Sequence, residues 1–368
     1  MQVGFYGHVR QYHSLQAELD AAIHAVLESG EYVLGPTLAR FEDELAAYFR
    51  MQHAIGVNSC TDALWLALLA LGVGAGDEVI TVSNTFFATA EAIWFAGAKA
   101  VFVDIEPRTC NMDVAQIEAL VTPRTKAIVP VHLYGQLVDM PALAAVARRH
   151  NLFVIEDCAQ AIDARGDGFA IGEYSDAVCA SFIANKNLGT YGDGGAVITN
   201  RADIVPRIRA LRNHGSSRRS VHSMGYNSRL DDLHAGVLSV KLNKITEWSD
   251  RRRAIAAQYT AALQETSLKL PFTQPGYRHV FHLYVVETPQ RDAMLQYLNN
   301  AGVDAKVHYP IAIHQQEGYP WGLPADLHPR LPATEQSAAR VLSLPLYPEL
   351  EQAEIDYVID LCRAWEDR

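Results

Sequence analysis

No stretch of this 368-residue sequence is long and apolar enough to cross a bilayer. The longest, Ala63 to Val73, falls far short of the roughly 20 residues required. Met1 to Arg10 has no apolar signal core. The five cysteines, Cys60, Cys110, Cys158, Cys179 and Cys362, are odd in number and lack paired spacing. They read as reduced thiols of a soluble, cytoplasmic protein, not as a disulfide frame or zinc site. Positive charge is scarce. The 31 Lys and Arg face 42 Asp and Glu, a net charge of −11 that argues against a nucleic-acid partner. There is no Gly-Lys-Ser/Thr phosphate loop. Gly72-Val73-Gly74-Ala75-Gly76 follows a helical pattern and precedes a strand, the reverse of the dinucleotide-binding order. None of the 14 histidines sits in a metal-ligand spacing. His308 and His314 flank a Pro-containing turn, and no metal is expected there.

What is present is a chain long enough for two domains and 49% hydrophobic, so a large core is available. Helical periodicity begins at Ser14, with Leu15, Leu19, Ile23 and Val26 on one face and Gly30 as a stop. Leu38, Phe41, Leu45 and Phe49 form a second such face. From residue 60 to about 200, helical segments alternate with the runs Glu78–Val82, Ala100–Val103, Ala127–Val131, Phe153–Ile155, Ala177–Ser181 and Ala196–Thr199. Most of these runs are continuously apolar, as in strands buried on both faces. The expectation is an α/β fold with a mainly parallel sheet sandwiched by helices, whose ligands gather at the carboxyl ends of the strands. A long helical stretch, Asp231 to about Leu263, carries the charged run Arg251–Arg253. His279–Val286 reads as a strand, Arg291–Ala301 as a helix and Tyr309–Pro332 as a Pro-rich loop. The division expected is a cofactor-binding domain over 1–244 and a smaller C-terminal α+β domain over 245–368.

Two segments carry chemistry. Phe153-Val154-Ile155-Glu156-Asp157 is an apolar strand ending in carboxylates, one of which could equally cap a following helix. Lys186 lies just beyond the buried run Ala177–Ser181 and ahead of Gly192-Asp193-Gly194-Gly195. Between buried strands a lysine loses its charge more readily, and a neutral amine is what Schiff-base chemistry needs. A lysine and a carboxylate at one sheet edge suit pyridoxal phosphate: the carboxylate keeps the pyridine nitrogen protonated, and the ring accepts electrons. Asn58-Ser59-Cys60-Thr61-Asp62 precedes an apolar helix, so its amides could hold a phosphate. An ordinary helix cap fits the same residues. The stretch Arg207, Arg209, Arg212, Arg218 and Arg219 reads either as a diphosphate attractor or as a solvated helix face and loop.

These pieces occur together in one order. Gly74-Ala75-Gly76-Asp77-Glu78-Val79, Asn84-Thr85-Phe86-Phe87-Ala88-Thr89, Pro130-Val131-His132-Leu133-Tyr134-Gly135-Gln136 and Glu156-Asp157-Cys158-Ala159-Gln160 come first. Lys186-Asn187-Leu188-Gly189, Tyr226-Asn227-Ser228-Arg229-Leu230-Asp231 and His308-Tyr309-Pro310-Ile311 follow. In this the chain resembles the DegT/StrS-type sugar aminotransferases, which are fold-type I pyridoxal-phosphate enzymes, from about Arg10 to Pro345. The resemblance implies that Lys186 is the Schiff-base lysine and proton shuttle, and that Asp157 pairs with the pyridine nitrogen. Gln160 would bond the phenolic oxygen and Phe86 would stack on the ring. Cys60, Thr61 and Ser181 would hold the phosphate. Asn227 would reach the phosphate of the neighbouring subunit in a homodimer with a shared active site. Arg229, His308 and Tyr309 are candidates for contacting a nucleotide-sugar. L-glutamate is the implied amino donor, and a nucleotide-linked 3-keto-6-deoxyhexose the implied acceptor.

The sequence also departs from the family. Cys60 stands where a glycine is usual, Ile183 where a tyrosine is common, and Ile162-Asp163 where His-Gly is common. The last two departures bear on the sugar. Three other readings compete: a 4-keto-sugar aminotransferase, a dehydratase, whose representatives lack the lysine, and a non-catalytic sensor on the same scaffold.

Overall fold

The computed structural model describes residues 1–368 apart from 217, 219, 319–328 and 367–368. Its main sheet has seven strands: β1 (His53–Val57), β2 (Glu78–Val82), β3 (Lys99–Val103), β4 (Thr125–Ile128), β5 (Phe153–Asp157), β6 (Ala177–Ser181) and β7 (Gly195–Thr199). They lie in the order β1-β7-β6-β5-β4-β2-β3. The run β6-β5-β4-β2-β3 is parallel, while β7 pairs antiparallel with both β6 and β1.

Alternation along each strand explains why the runs read as continuously apolar. Val79 and Val197 enter one core cluster, while Ile80 and Ile198 enter the other. One face is covered by helices Pro36–Phe49 and Asp232–Leu242, the other by Cys60–Ala70, Ala88–Phe95 and Val205–Leu211. With apolar side chains leaving water on both faces, the sheet is the seat of the hydrophobic stabilisation.

The strand β1 is absent from the sequence reading because Gly56 interrupts a five-residue run. The glycine is required by packing. A Cβ there would lie 2.8 Å from Leu38 Cδ1 and 3.0 Å from Leu230 Cβ. Its amide donates to the buried Glu42 carboxylate at 2.8 Å. Arg212 reaches the same carboxylate at 2.5 Å and the Gly56 carbonyl at 2.8 Å. Arg212 is therefore committed to a buried ion pair and does not attract a ligand. Arg209 also turns towards Glu42, at 3.5 Å, and Arg219 lies outside the described residues.

Two further expectations need correction. The stretch Asp231–Leu263 is two helices, Asp232–Leu242 and Ile245–Leu263, broken where the Lys244 amide donates to the Lys241 carbonyl. Within the basic run, Arg252 is buried and donates to the carbonyls of Phe281, His282 and Leu346. The expected strand His279–Val286 begins only at Tyr284 and runs one residue further, as β8 (Tyr284–Glu287), paired antiparallel with β9 (Val341–Leu344). Before it, His279 stacks flat on Phe281 at 3.9 Å instead of extending.

A third core cluster surrounds β8 and β9. Tyr259, Met294, Leu298, Ile355 and Val358 fill it, with Val3 from the start of the chain. Helix Ile245–Leu263 spans two clusters: Ile245 and Trp248 pack with the main sheet, Ile255 and Tyr259 with the third cluster. Among the described residues no helix is long and apolar enough to cross a membrane.

Candidate active site

A cavity of about 430 Å³ opens at the carboxyl ends of β5 and β6, where parallel strands place their ligands. Nine of the residues singled out from sequence line it: Cys60, Thr61, Phe86, Asp157, Gln160, Ser181, Lys186, His308 and Tyr309.

Asp157 ends β5. Its Oδ2 accepts from the Thr89 hydroxyl at 2.9 Å and its Oδ1 from the Ala159 amide at 3.1 Å. The Cys60 thiol stands 3.9 Å from Oδ1. Burial pushes the carboxyl above its ordinary range, while the Ala159 amide, the Thr89 hydroxyl and the Lys186 charge pull it back. Glu156, one residue earlier, faces the other side of the sheet. It accepts from His132 Nε2 at 2.7 Å, the Gly172 amide at 2.9 Å and the Ser175 hydroxyl at 2.5 Å. Neither carboxylate caps a helix. The strand's alternation separates a structural acid from one that faces the cavity.

Lys186 sits on a turn between β6 and β7. Its own amide donates to the Ile183 carbonyl at 2.9 Å. The turn is tight: a Cβ on Gly189 would lie 2.5 Å from the Ala184 carbonyl oxygen. Behind the turn the buried Lys241 ammonium donates to the Gly189 carbonyl at 2.8 Å. Burial lowers the pKa of the Lys186 amine, and the charges of Asp157 and Cys60 oppose that shift. Burial thus favours the neutral form of each group, and each one's charge favours ionisation of the other.

The anion cradle and the helix cap prove to use different amides. Ser59 caps helix Cys60–Ala70, its hydroxyl accepting from the Asp62 amide at 3.1 Å and its carbonyl from the Ala63 amide at 2.9 Å. Among the described residues the amides of Cys60 and Thr61 have no partner within the chain. They therefore remain available at a helix N-terminus, where anions are favoured. Gly195 permits the approach of this loop to β7, since a Cβ there would lie 2.3 Å from the Ser59 carbonyl carbon.

The opposite wall comes from later in the chain. Gln160 accepts from the Tyr134 amide at 2.7 Å and donates to the Tyr309 hydroxyl at 3.1 Å. Tyr134 in turn donates to the His308 carbonyl. The His308 ring meets the Ser343 hydroxyl at 2.9 Å. Burial first, then the charges of Lys186 and Lys306, lower it to about 4, so it is neutral at physiological pH. Phe86 is 60% exposed, an aromatic face presented to the cavity with its ring 6.1 Å from that of Tyr309.

Asn227 and Arg229 lie outside this cavity. Asn227 is exposed and bridged through its backbone to Asn213, whose side chain accepts from Arg229 at 2.8 Å. Thr89, which holds Asp157, went unassigned in the sequence. Its position, second in helix Ala88–Phe95, carries no signal of contact with residue 157.

The residues present fit pyridoxal phosphate. Two unpaired helix-terminal amides suit its phosphate, a buried carboxylate its ring nitrogen, a deprotonable lysine its aldehyde and an exposed aromatic face its ring. With the mainly parallel sheet, they define a fold-type I pyridoxal-phosphate-dependent aminotransferase. The chain belongs to the DegT/DnrJ/EryC1/StrS aminotransferase family, whose model matches residues 13–363. It is a sugar aminotransferase.

Among its relatives is the dTDP-3-amino-3,4,6-trideoxy-alpha-D-glucose transaminase of Streptomyces venezuelae. It is 45% identical over 359 residues, covering 97% of this chain and 94% of that one. A pleiotropic regulatory protein of Geobacillus stearothermophilus is 46% identical over 359 residues, covering 95% of each. The crystal structure of S. venezuelae DesV in complex with a ketimine intermediate superposes with a TM-score of 0.96 at 44% identity. It covers 100% of this chain and 99% of that one.

Proposed function

We propose that this enzyme moves an amino group from L-glutamate to a 3-keto-6-deoxyhexose carried on a nucleotide. It would act in the cytoplasm, as a homodimer in which Asn227 reaches the cofactor phosphate of the neighbouring subunit. The observation that carries the reading is the meeting of Lys186 and Asp157 in one cavity, 29 positions apart in sequence and opposite in charge. The similarity to the Streptomyces venezuelae 3-amino sugar transaminase supports the 3-keto acceptor.

Bound pyridoxal phosphate supplies a conjugated ring that takes up the electron pair released at the substrate carbon. Asp157, with Thr89 and Ala159 fixing both oxygens, would hold the ring nitrogen of the cofactor in its protonated form. Lys186 Nζ, favoured in its neutral form by burial, would hold the bound cofactor and serve as the base that takes up and gives back the proton of the donor's α-carbon. The reverse transfer serves the sugar. The amides of Cys60 and Thr61 with the hydroxyls of Thr61 and Ser181 orient the phosphate. Phe86 covers one face of the ring, and His308 and Tyr309 bound the side from which the sugar enters.

The test is spectroscopic. Holoenzyme has a visible absorption band that L-glutamate shifts towards the near-ultraviolet. Nucleotide-linked 3-keto sugars restore the band, and 4-keto sugars do not. A colourless protein unresponsive to added cofactor contradicts the reading. Restoration by 4-keto sugars alone moves the reaction to that carbon.

A further inference from the structure

Tyr6 stands at the rim of this cavity although it is 180 positions from Lys186 in the chain. Two strands of evidence fix it there. The segment before it is pinned, as the Val3 amide donates to the Gly302 carbonyl and the Asp304 amide to the Val3 carbonyl, both at 2.9 Å. The Phe5 ring then packs 5.6 Å from that of His308, which lines the cavity. The Tyr6 ring is held edge-on by Phe5 at 4.9 Å and stacked on His8 at 5.1 Å. Its hydroxyl meets the side chain of Asn185 at 3.3 Å. Asn185 lines the cavity and is the residue immediately before Lys186.

The hydrogen bonding of this pair is incomplete. The Asn185 amide has two ends. One bonds the phenol, and the other is buried without a partner among the described residues. Whichever way the amide is turned, that imbalance remains. Native proteins leave few buried polar atoms unpaired, and those that persist call for a functional account. Because Tyr6 accepts from Asn185, its own O–H is left to donate outward. The ring is 37% exposed. The cavity also presents apolar surface, with Ile183 at 41% and Phe86 at 60% exposure.

We infer that Tyr6, oriented by Asn185, donates a hydrogen bond to an oxygen substituent of the sugar ring of the substrate. The inference rests on the nucleotide-sugar reading above. The sugar is the part contacted because its reacting carbon must come to Lys186, next to Asn185, while the base and diphosphate trail away. A donor placed beside the reacting carbon favours a sugar that carries the matching oxygen over its deoxy analogue. Tyr6 is a specificity residue and Asn185 a positioning residue.

The experiment measures binding of two probes to holoenzyme by calorimetry: a dTDP-linked 3-amino-3,6-dideoxyhexose, and dTDP alone. Tyr6→Phe keeps the ring packing on Phe5 and His8. It weakens the amino-sugar probe about tenfold, the worth of one such hydrogen bond, and leaves dTDP binding as it was. Asn185→Ala gives the same loss, and the double variant loses no more than either single one. Equal affinity of Tyr6→Phe and wild type for the amino-sugar probe overturns the inference. So does a matching loss for dTDP alone, or additive losses in the double variant. A wild-type holoenzyme that binds neither probe overturns the nucleotide-sugar reading itself, and this inference with it.

Discussion

The Thr89 hydroxyl donates to Asp157 Oδ2 across 2.9 Å, joining the first turn of helix Ala88–Phe95 to the carboxyl end of β5. Burial alone would push this carboxylate towards its neutral form, in which it could not hold a proton on a pyridine nitrogen. Thr89 is one of the groups that oppose this shift, and with the Ala159 amide it fixes the carboxylate's oxygens. Thr89→Val removes one charge-assisted hydrogen bond, worth about 1.5–3 kcal/mol. Affinity for pyridoxal phosphate should fall roughly 10- to 100-fold, read by titrating the apoprotein and following absorbance. An unchanged affinity contradicts the assigned part of Asp157.

Lys186→Ala should abolish turnover with fold and thermal midpoint close to wild type. The lysine bears no packing load: its side chain lines a cavity, and the backbone bonds of its turn do not depend on it. Circular dichroism tests the fold and a coupled glutamate assay the activity. Full activity in the variant would end the proposed reaction.

Gly195→Ala tests the phosphate cradle without touching a side chain. The added methyl would sit 2.3 Å from the Ser59 carbonyl carbon, so the Ser59-Cys60 loop must shift. Cofactor affinity should drop by at least tenfold while the sheet survives, because β7 retains its ladder to β6 and β1. Wild-type affinity would mean that the two amides are not where the phosphate binds.

Acid should destabilise the apoprotein well before its carboxylates titrate. Burial holds His279 down to about 3, His308 to about 4, and His282 well below its ordinary 6.5. The unfolded chain therefore binds protons that the folded chain refuses. Stability is full above about 6.5 and falls as pH drops towards 4. Asp157, raised by burial, works the other way, its contribution present below 3.8 and lost as pH rises through its folded value. Three imidazoles outweigh one carboxyl. The thermal midpoint should decline between pH 7 and 4.5, less steeply in His279→Gln; a flat profile contradicts this.

Glu42→Gln should cost about 3–5 kcal/mol in urea unfolding, because it leaves the buried Arg212 charge uncompensated. A loss under 1 kcal/mol would mean that water reaches the pair.

The sequence made the sheet legible wherever a strand is apolar on both faces, as in Glu78–Val82 and Ala177–Ser181, and hid it at Gly56, where packing forced a residue that breaks the pattern. The lysine and the carboxylate could be read because each follows a strand, and such chemistry gathers at strand ends. Thr89, Tyr6 and Asn185 could not. Their significance lies in contacts made 68 and 179 positions away along the chain, and no local pattern encodes such a pairing. Arg212, read as a diphosphate attractor or part of a solvated face, was hidden for the same reason, since its partner Glu42 lies 170 positions away.

The bond from Lys241 to the Gly189 carbonyl has a consequence for how the enzyme cycles. In a transamination cycle Lys186 would be released once and rejoined once, and its side chain must change place each time. Here the main chain beneath it is moored from behind by a cation that takes no part in those exchanges. All the travel is left to the four methylenes of one lysine, and every return delivers its nitrogen to the same spot.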